Sequence, residues 1–258
     1  MKLPQPPLVV LLFVLTVPAL AAPDCKQPLD APTLQRISLG WNRDLQIEPG
    51  GKYQFSFAVL STYAPPTPVP ACATWTIEPE NKGARVGATG LLRVEDGTPS
   101  GSVFTVTANI EQGRAERKVT VYVYDQQTHP LVGLWRQQAQ FDCDSGKEMS
   151  MTQPIQEVEF RASGRFSVTW TPFETYRDYW GQYTTDVSAG SVVLSLEGGN
   201  YQPIRFRGEG TFVLSKNGML ELRGAFLGDP RSYGTEAPAP EKIGKQCRYL
   251  FSKIATAD

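Results

Sequence analysis

Histidine is almost missing from this chain: its 258 residues include one, His129. That scarcity removes Ser-His-Asp and Cys-His nucleophilic machinery and histidine-rich metal centres, all of which need an imidazole set beside other groups. His129 itself falls in a short polar stretch and reads as a linker residue. The chain contains no Gly-x-Ser-x-Gly turn, phosphate-binding loop, Cys-x-x-Cys pair or Asn-x-Ser/Thr sequon. Charge of one sign is also lacking. With 25 basic against 26 acidic residues, electrostatics offers no reason to expect nucleic acid or an anionic membrane surface as partner. Beyond the first 21 residues, no apolar run approaches the roughly 20 residues that a membrane-spanning helix needs.

What is present begins with a leader. Lys2 supplies a weak positive start, Leu8 to Val17 is an apolar run, and Ala19-Leu20-Ala21 has the small-x-small form of a cleavage site. Residues 1–21 therefore read as a signal peptide, which makes the protein secreted or periplasmic, with bacterial export the favoured route. Removal leaves 24 basic and 26 acidic residues. Cys25, Cys72, Cys143 and Cys247 all follow the leader. An even number of cysteines in an exported chain implies two disulfides, and four cysteines allow three pairings. Domain boundaries favour Cys25 with Cys72 and Cys143 with Cys247. The longer loop would contribute about 4–5 kcal/mol on a loop-entropy model.

The fold class is all-β. Residues 22–33 form a Pro-rich lead-in, and 34–125 alternate apolar and polar positions between turn residues. Tyr53, Phe55 and Phe57 share one face, as do Val119, Val121 and Val123. Four prolines within residues 64–70 exclude a central strand and mark a stiff exposed loop. About seven short strands in this span make a β-sandwich. The segments LQIEPGGKYQFSFAV, ATWTIEP, ARVGATGLLRV, SGSVFTVTANI and RKVTVYV, with a Trp strand at Trp75 and a Val-x-x-x-Gly-Leu turn from Val86 to Leu91, resemble a bacterial immunoglobulin-like domain of group 2 (BIG2). That resemblance implies a spacer, interaction or adhesion module, usually without catalysis.

Residues 126–130 form the linker, and 131–254 carry a second all-β unit. Its strand candidates are Gly133–Phe141, Ile155–Arg161, Arg165–Trp170, Gly181–Asp186, Val192–Glu197, Ile204–Gly208, Thr211–Ser215, Met219–Arg223 and Gln246–Lys253. The connections are hairpin-like, and Lys216-Asn217-Gly218 is the strongest of them. Eight or so sequential antiparallel strands fit an up-and-down barrel, with an open sandwich as the alternative. Gly133-x-Trp135 at the first strand and Arg248 in the last resemble the lipocalin or calycin-type barrel. In that superfamily the tryptophan plugs the barrel floor and an arginine stacks on it. The lipocalin Thr-Asp-Tyr signature is not kept, since Val187 follows Thr185-Asp186. A closed barrel would also bring Cys143 and Cys247 together.

The richest stretch is WTPFETYRDYWGQY, with Trp170, Phe173, Tyr176, Tyr179, Trp180 and Tyr183 inside fourteen residues. Such rings either seal a barrel end or line a pocket for an apolar or aromatic ligand or a sugar. Arg205 and Arg207 alternate with apolar residues and are candidates for holding an anionic head group in the lumen. Asp142, Asp144 and Gly146 hint weakly at a calcium loop but lack the EF-hand spacing. Asp178 with Asp186, and Glu157 with Glu159, are the carboxylate pairs a glycosidase would require. The leading expectation is a non-enzymatic exported binding protein. Its barrel would hold a small apolar ligand, with the sandwich as spacer, and no metal or cofactor is expected. A structural or adhesion protein of the cell envelope is the alternative, and a carboxylate hydrolase the remote one.

Overall fold

The computed structural model describes residues 28–39, 44–61, 64–142, 144–151, 153–171, 177–203, 206–228 and 246–254. The expected signal peptide, Cys25, Cys143, Phe173, Tyr176 and Arg205 lie outside them. Among the described residues, after one short helix, α1 (Ala31–Arg36), every regular element is a strand. The first ten are β1 (Ile37–Leu39), β2 (Asp44–Ile47), β3 (Lys52–Gln54), β4 (Phe57–Val59), β5 (Thr67–Pro68), β6 (Ala73–Glu78), β7 (Ala84–Val86), β8 (Leu91–Val94), β9 (Val103–Ile110) and β10 (Ala115–Val123). The next eight are β11 (Gly133–Asp142), β12 (Glu157–Phe160), β13 (Arg165–Thr171), β14 (Arg177–Asp186), β15 (Ser191–Gly199), β16 (Glu209–Leu214), β17 (Met219–Arg223) and β18 (Gln246–Lys253). Among the described residues no helix is long and apolar enough to cross a membrane.

The helix lies partly in what reads as an irregular lead-in. Its local chemistry is complete. The Asp30 carboxylate accepts from the Thr33 N–H at 2.8 Å, and Pro32 occupies the first turn, where its missing donor costs nothing. Hydrogen bonds from the Thr33 side chain and then from its N–H hold the Asp30 carboxyl below its usual range.

The first ten strands form three sheets ordered β1-β4-β5, β2-β10-β9-β6 and β3-β8-β7. Their inward residues share one core, including Leu92, Phe104, Val106, Ile110 and Val121. Two motif residues meet here. An added Cβ at Gly90, whose φ is 79°, would lie 2.6 Å from the Trp75 ring, so the Val86–Leu91 turn closes onto the Trp strand through a glycine. Phe55 and Phe57 stack on the same indole. The proline-rich segment differs from a pure loop. Thr67 and Pro68 pair with Val59 and Ala58 as a two-residue strand at a sheet edge, a position where a residue without an N–H is tolerated.

The remaining eight strands close as an antiparallel barrel in chain order, β18 pairing back to β11. Met219–Arg223 and Gln246–Lys253 form as the alternation implies. The candidate Ile204–Gly208 does not become a barrel strand. Of its described residues, only Arg207 joins a bridge, to Phe226. Instead Tyr201, Pro203 and the run Ala225–Gly228 are buried, so the chain around β16 and β17 folds inward and fills the barrel. A β-bulge between Trp180 and Gly181 brings β15 so close that a Cβ on Gly181 would sit 1.8 Å from the Ser195 carbonyl oxygen. Gly181→Ala is expected to cost about 1–3 kcal/mol or more by forcing this backbone apart, read as a lowered urea midpoint.

Candidate functional site

The barrel interior is where a lipocalin-like carrier would keep its ligand, and its contents follow from strand parity. Side chains alternate in and out along each strand. On β13, Phe166, Val168 and Trp170 point inward; on β14, Tyr179, Gly181 and Tyr183 do. With Trp135, Phe160, Tyr201, Phe212, Tyr249 and Phe251 they make one continuous core. The aromatic stretch therefore divides. Trp170, Tyr179 and Tyr183 are core residues. Trp180, of opposite parity, stands 38% exposed on the outer wall. It lies against Gly198, where an added Cβ would be 3.0 Å from the indole. Phe173 and Tyr176 fall outside the described residues.

Polar groups inside the barrel are tied to its backbone. The Tyr179 hydroxyl donates to the Leu227 carbonyl at 2.5 Å, and the Leu227 N–H donates to the Tyr249 hydroxyl at 3.2 Å. Two phenols from opposite parts of the barrel thus clamp the inward-folded segment. Burial, then the neighbouring Tyr249 and Tyr201, pushes the Tyr179 phenol well above its ordinary range. Burial alone does the same to Tyr183, whose hydroxyl donates to the Arg161 carbonyl at 2.9 Å. Tyr179→Phe would leave the Leu227 carbonyl without its donor and is expected to cost about 1–3 kcal/mol, measured by chemical denaturation. Among the described residues two buried side-chain donors are unpartnered, the Ser163 hydroxyl and the Trp170 indole N–H, and the second belongs to the barrel core.

Gly133, Trp135 and Arg248 do not assemble as the lipocalin resemblance implies. Trp135 is buried and its indole N–H donates to the Leu131 carbonyl at 2.7 Å. The cation over its ring is Lys253, 5.7 Å from the centroid, not Arg248. The register explains this, because Trp135 pairs with Lys253, whereas Arg248 pairs with Phe141. Arg248 stacks on Phe141 at 4.3 Å and bonds Glu221. Gly133 has φ 141°, and an added Cβ would come 2.5 Å from the Lys253 side chain. The glycine clears a path for the lysine, whose ammonium reaches Gln126 at 2.9 Å. Burial lowers the Lys253 pKa. Hydrogen bonds from Arg223 and then Arg248 hold Glu221 below the usual carboxylate range.

The other candidates are drawn into local structure. Arg207 faces outward and donates to the Gly224 carbonyl at 2.6 Å; Arg205 lies outside the described residues. The Asp142 carboxylate accepts from the Asp144 N–H and from the Ser145 N–H and hydroxyl, so it organises a turn. Asp178 and Asp186 stand eight positions apart on one strand, about 26 Å, whereas a glycosidase pair sits within about 10 Å. Burial raises the Asp178 pKa. Asp186 caps its own turn through Ser188 and Ala189. Glu159 pairs with Arg161 at 2.9 Å. One contact had no signal in the sequence: Ser100 Oγ lies 3.0 Å from His129 Nδ1. The same Oγ accepts from the Asp125 N–H and the Thr128 hydroxyl, so the group locks the linker turn. Among the described residues no cysteine is free.

No family model matches the chain, and no curated protein does. Two solved structures from Bacteroides ovatus align with it, one described as a structural-genomics protein of unknown function and one as a multidomain protein including DUF1735. They cover 85% and 84% of this chain and 93% and 92% of their own, each at 8% identity and a TM-score of 0.25. A likeness at that level carries no argument about function.

Proposed function

We propose that the protein is a non-enzymatic, exported module of the cell envelope whose barrel is a filled structural body, joined to a sandwich that serves in interaction. One observation carries the reading. The space a carrier would leave open holds Trp135, Trp170, Tyr179, Tyr201, Tyr249 and Phe251, all buried in one core. The finer readings belong with it: a group-2 immunoglobulin-like sandwich, a lipocalin-like barrel, and disulfides Cys25–Cys72 and Cys143–Cys247. The last pairing is supported by the Asp142–Gln246 rung, next to which Cys247 falls in the β18 bulge. Mature protein titrated with an anionic naphthalene dye and with long-chain fatty acids is expected to give no saturable change in tryptophan fluorescence. Intact protein should show no titratable thiol until reduced. Binding to envelope fractions should be retained when Trp180 is replaced by alanine.

A second reading, an apolar-ligand carrier, is favoured by the unpartnered Trp170 N–H, which an entering acceptor would satisfy. Saturable dye or lipid binding that Trp170→Phe abolishes would move the assignment there.

A further inference from the structure

In the three-stranded sheet β3-β8-β7, Lys52 pairs directly with Arg93, and Arg93 pairs directly with Arg85. Residues directly opposite on antiparallel strands share a face, with Cβ atoms about 5 Å apart. Three cations therefore stand in one row across the sheet, all exposed. The neighbouring rung, Tyr53–Leu92–Val86, faces the core. Like charges directly opposite each other destabilise a sheet, and this row contains two such contacts. Among the described residues no ion pair relieves them: those present join Lys118 to Glu116, Arg161 to Glu159, and Arg223 and Arg248 to Glu221.

The same row borders a cleft of about 270 Å³, whose rim is completed by Gly50, Glu95 and Asp96. Gly50 has φ 77°, and the Asp96 carboxylate fills the space where a Cβ would stand, 2.2 Å from that position. The cleft thus presents a cationic wall and a carboxylate edge. Guanidinium and ammonium groups recognise oxyanions, while carboxylates accept from hydroxyls. A ligand with both an oxyanion and several hydroxyls meets both walls.

We propose that this cleft binds an acidic saccharide, a sugar bearing one phosphate or carboxylate, with the anion on the Lys52–Arg93–Arg85 row and hydroxyls on Glu95 and Asp96. The proposal is independent of whether the barrel is filled. Phosphorylated and carboxylated sugars share the oxyanion chemistry, and the experiment separates them.

The test is isothermal titration of the mature full chain at low ionic strength with glucose 6-phosphate, glucuronate, glucose and inorganic phosphate. At least one of the two acidic sugars is expected to bind, and whichever binds more tightly identifies the anion. Glucose should not bind, and inorganic phosphate should bind at least tenfold more weakly than the better sugar. Binding should fall steeply with added salt. Arg93→Thr, folded by far-ultraviolet circular dichroism, should weaken the sugar at least tenfold and melt no lower than the parent, because it removes both like-charge contacts. Lys52→Gln provides a second variant, expected to weaken binding severalfold. Three results overturn the proposal: neither acidic sugar binds, phosphate binds as tightly as the sugar, or folded Arg93→Thr and Lys52→Gln bind like the parent.

Discussion

Trp135→Ala is expected to lower the stability of the barrel by about 3–5 kcal/mol. Trp135 is buried, is among the largest side chains in the core, and is held by its Leu131 hydrogen bond and by Lys253 above the ring. Truncation removes the transfer free energy of an indole and leaves a cavity in a barrel that closes around it, with little freedom to collapse. Trp135→Phe separates the parts of that loss. It keeps most of the volume but leaves the Leu131 carbonyl unmet, which should cost about 1–3 kcal/mol. Equilibrium urea unfolding followed by near-ultraviolet circular dichroism measures both. An alanine variant within 1 kcal/mol of the parent would mean that the Trp135 site is not a keystone of the core.

The second large effect is alkaline. Tyr179 and Tyr183 have folded-state pKa values raised by burial, whereas an unfolded phenol ionises near pH 10. The folded state then retains protons that the unfolded state loses. Stability should be flat with respect to these groups below about pH 10 and fall above it, by about 1.4 kcal/mol per pH unit for each phenol. Urea midpoints across the alkaline range should show a combined slope near 2.8 kcal/mol per unit while both remain protonated in the fold. Tyr183→Phe should halve that slope. Tyrosinate absorbance for these two residues should appear only with unfolding. Titration of both near pH 10 in the folded protein would show that solvent reaches them.

This barrel is legible in the sequence through the parts of its chemistry that are local. Met219–Arg223 was legible because an Asn-Gly turn precedes it and its side chains alternate, and Gln246–Lys253 through alternation alone. Parity within the aromatic stretch went unread, because the strand candidate begins at Gly181 whereas β14 begins at Arg177 and so takes in Tyr179 and Trp180. What stayed hidden depends on long-range register. Bulges between Gln137 and Ala139 and between Phe141 and Asp142 shift β11 against β18. The two shifts cancel, and over the strand as a whole the register sets Trp135 opposite Lys253 and leaves Arg248 opposite Phe141. The failure of Ile204–Gly208 as a strand has the same origin: alternation supports pairing, but the inward course of the chain near Tyr201 and Ala225–Gly228 follows from volume left inside the barrel. For the candidate sites, residue types were readable and their convergence was not. Two aspartates on β14 look paired in a list of carboxylates and lie at opposite ends of a strand. Lys52, Arg85 and Arg93 look unrelated in the chain and stand in one row.

The pairing of β11 with β18 has a consequence in time. Gln138 and Ser252 hydrogen-bond across this junction although they are 114 positions apart in the chain. Until that seam is made, β11 and β18 are both open edges, each offering unpaired amides and carbonyls to any other strand nearby. Contacts of such sequence separation form late and slowly, so the seven earlier strands must wait, already apolar on one face, for the eighth to arrive. Joining the two seam strands early, by a circular permutation that makes them sequence neighbours, should speed refolding and suppress aggregation more than it changes equilibrium stability.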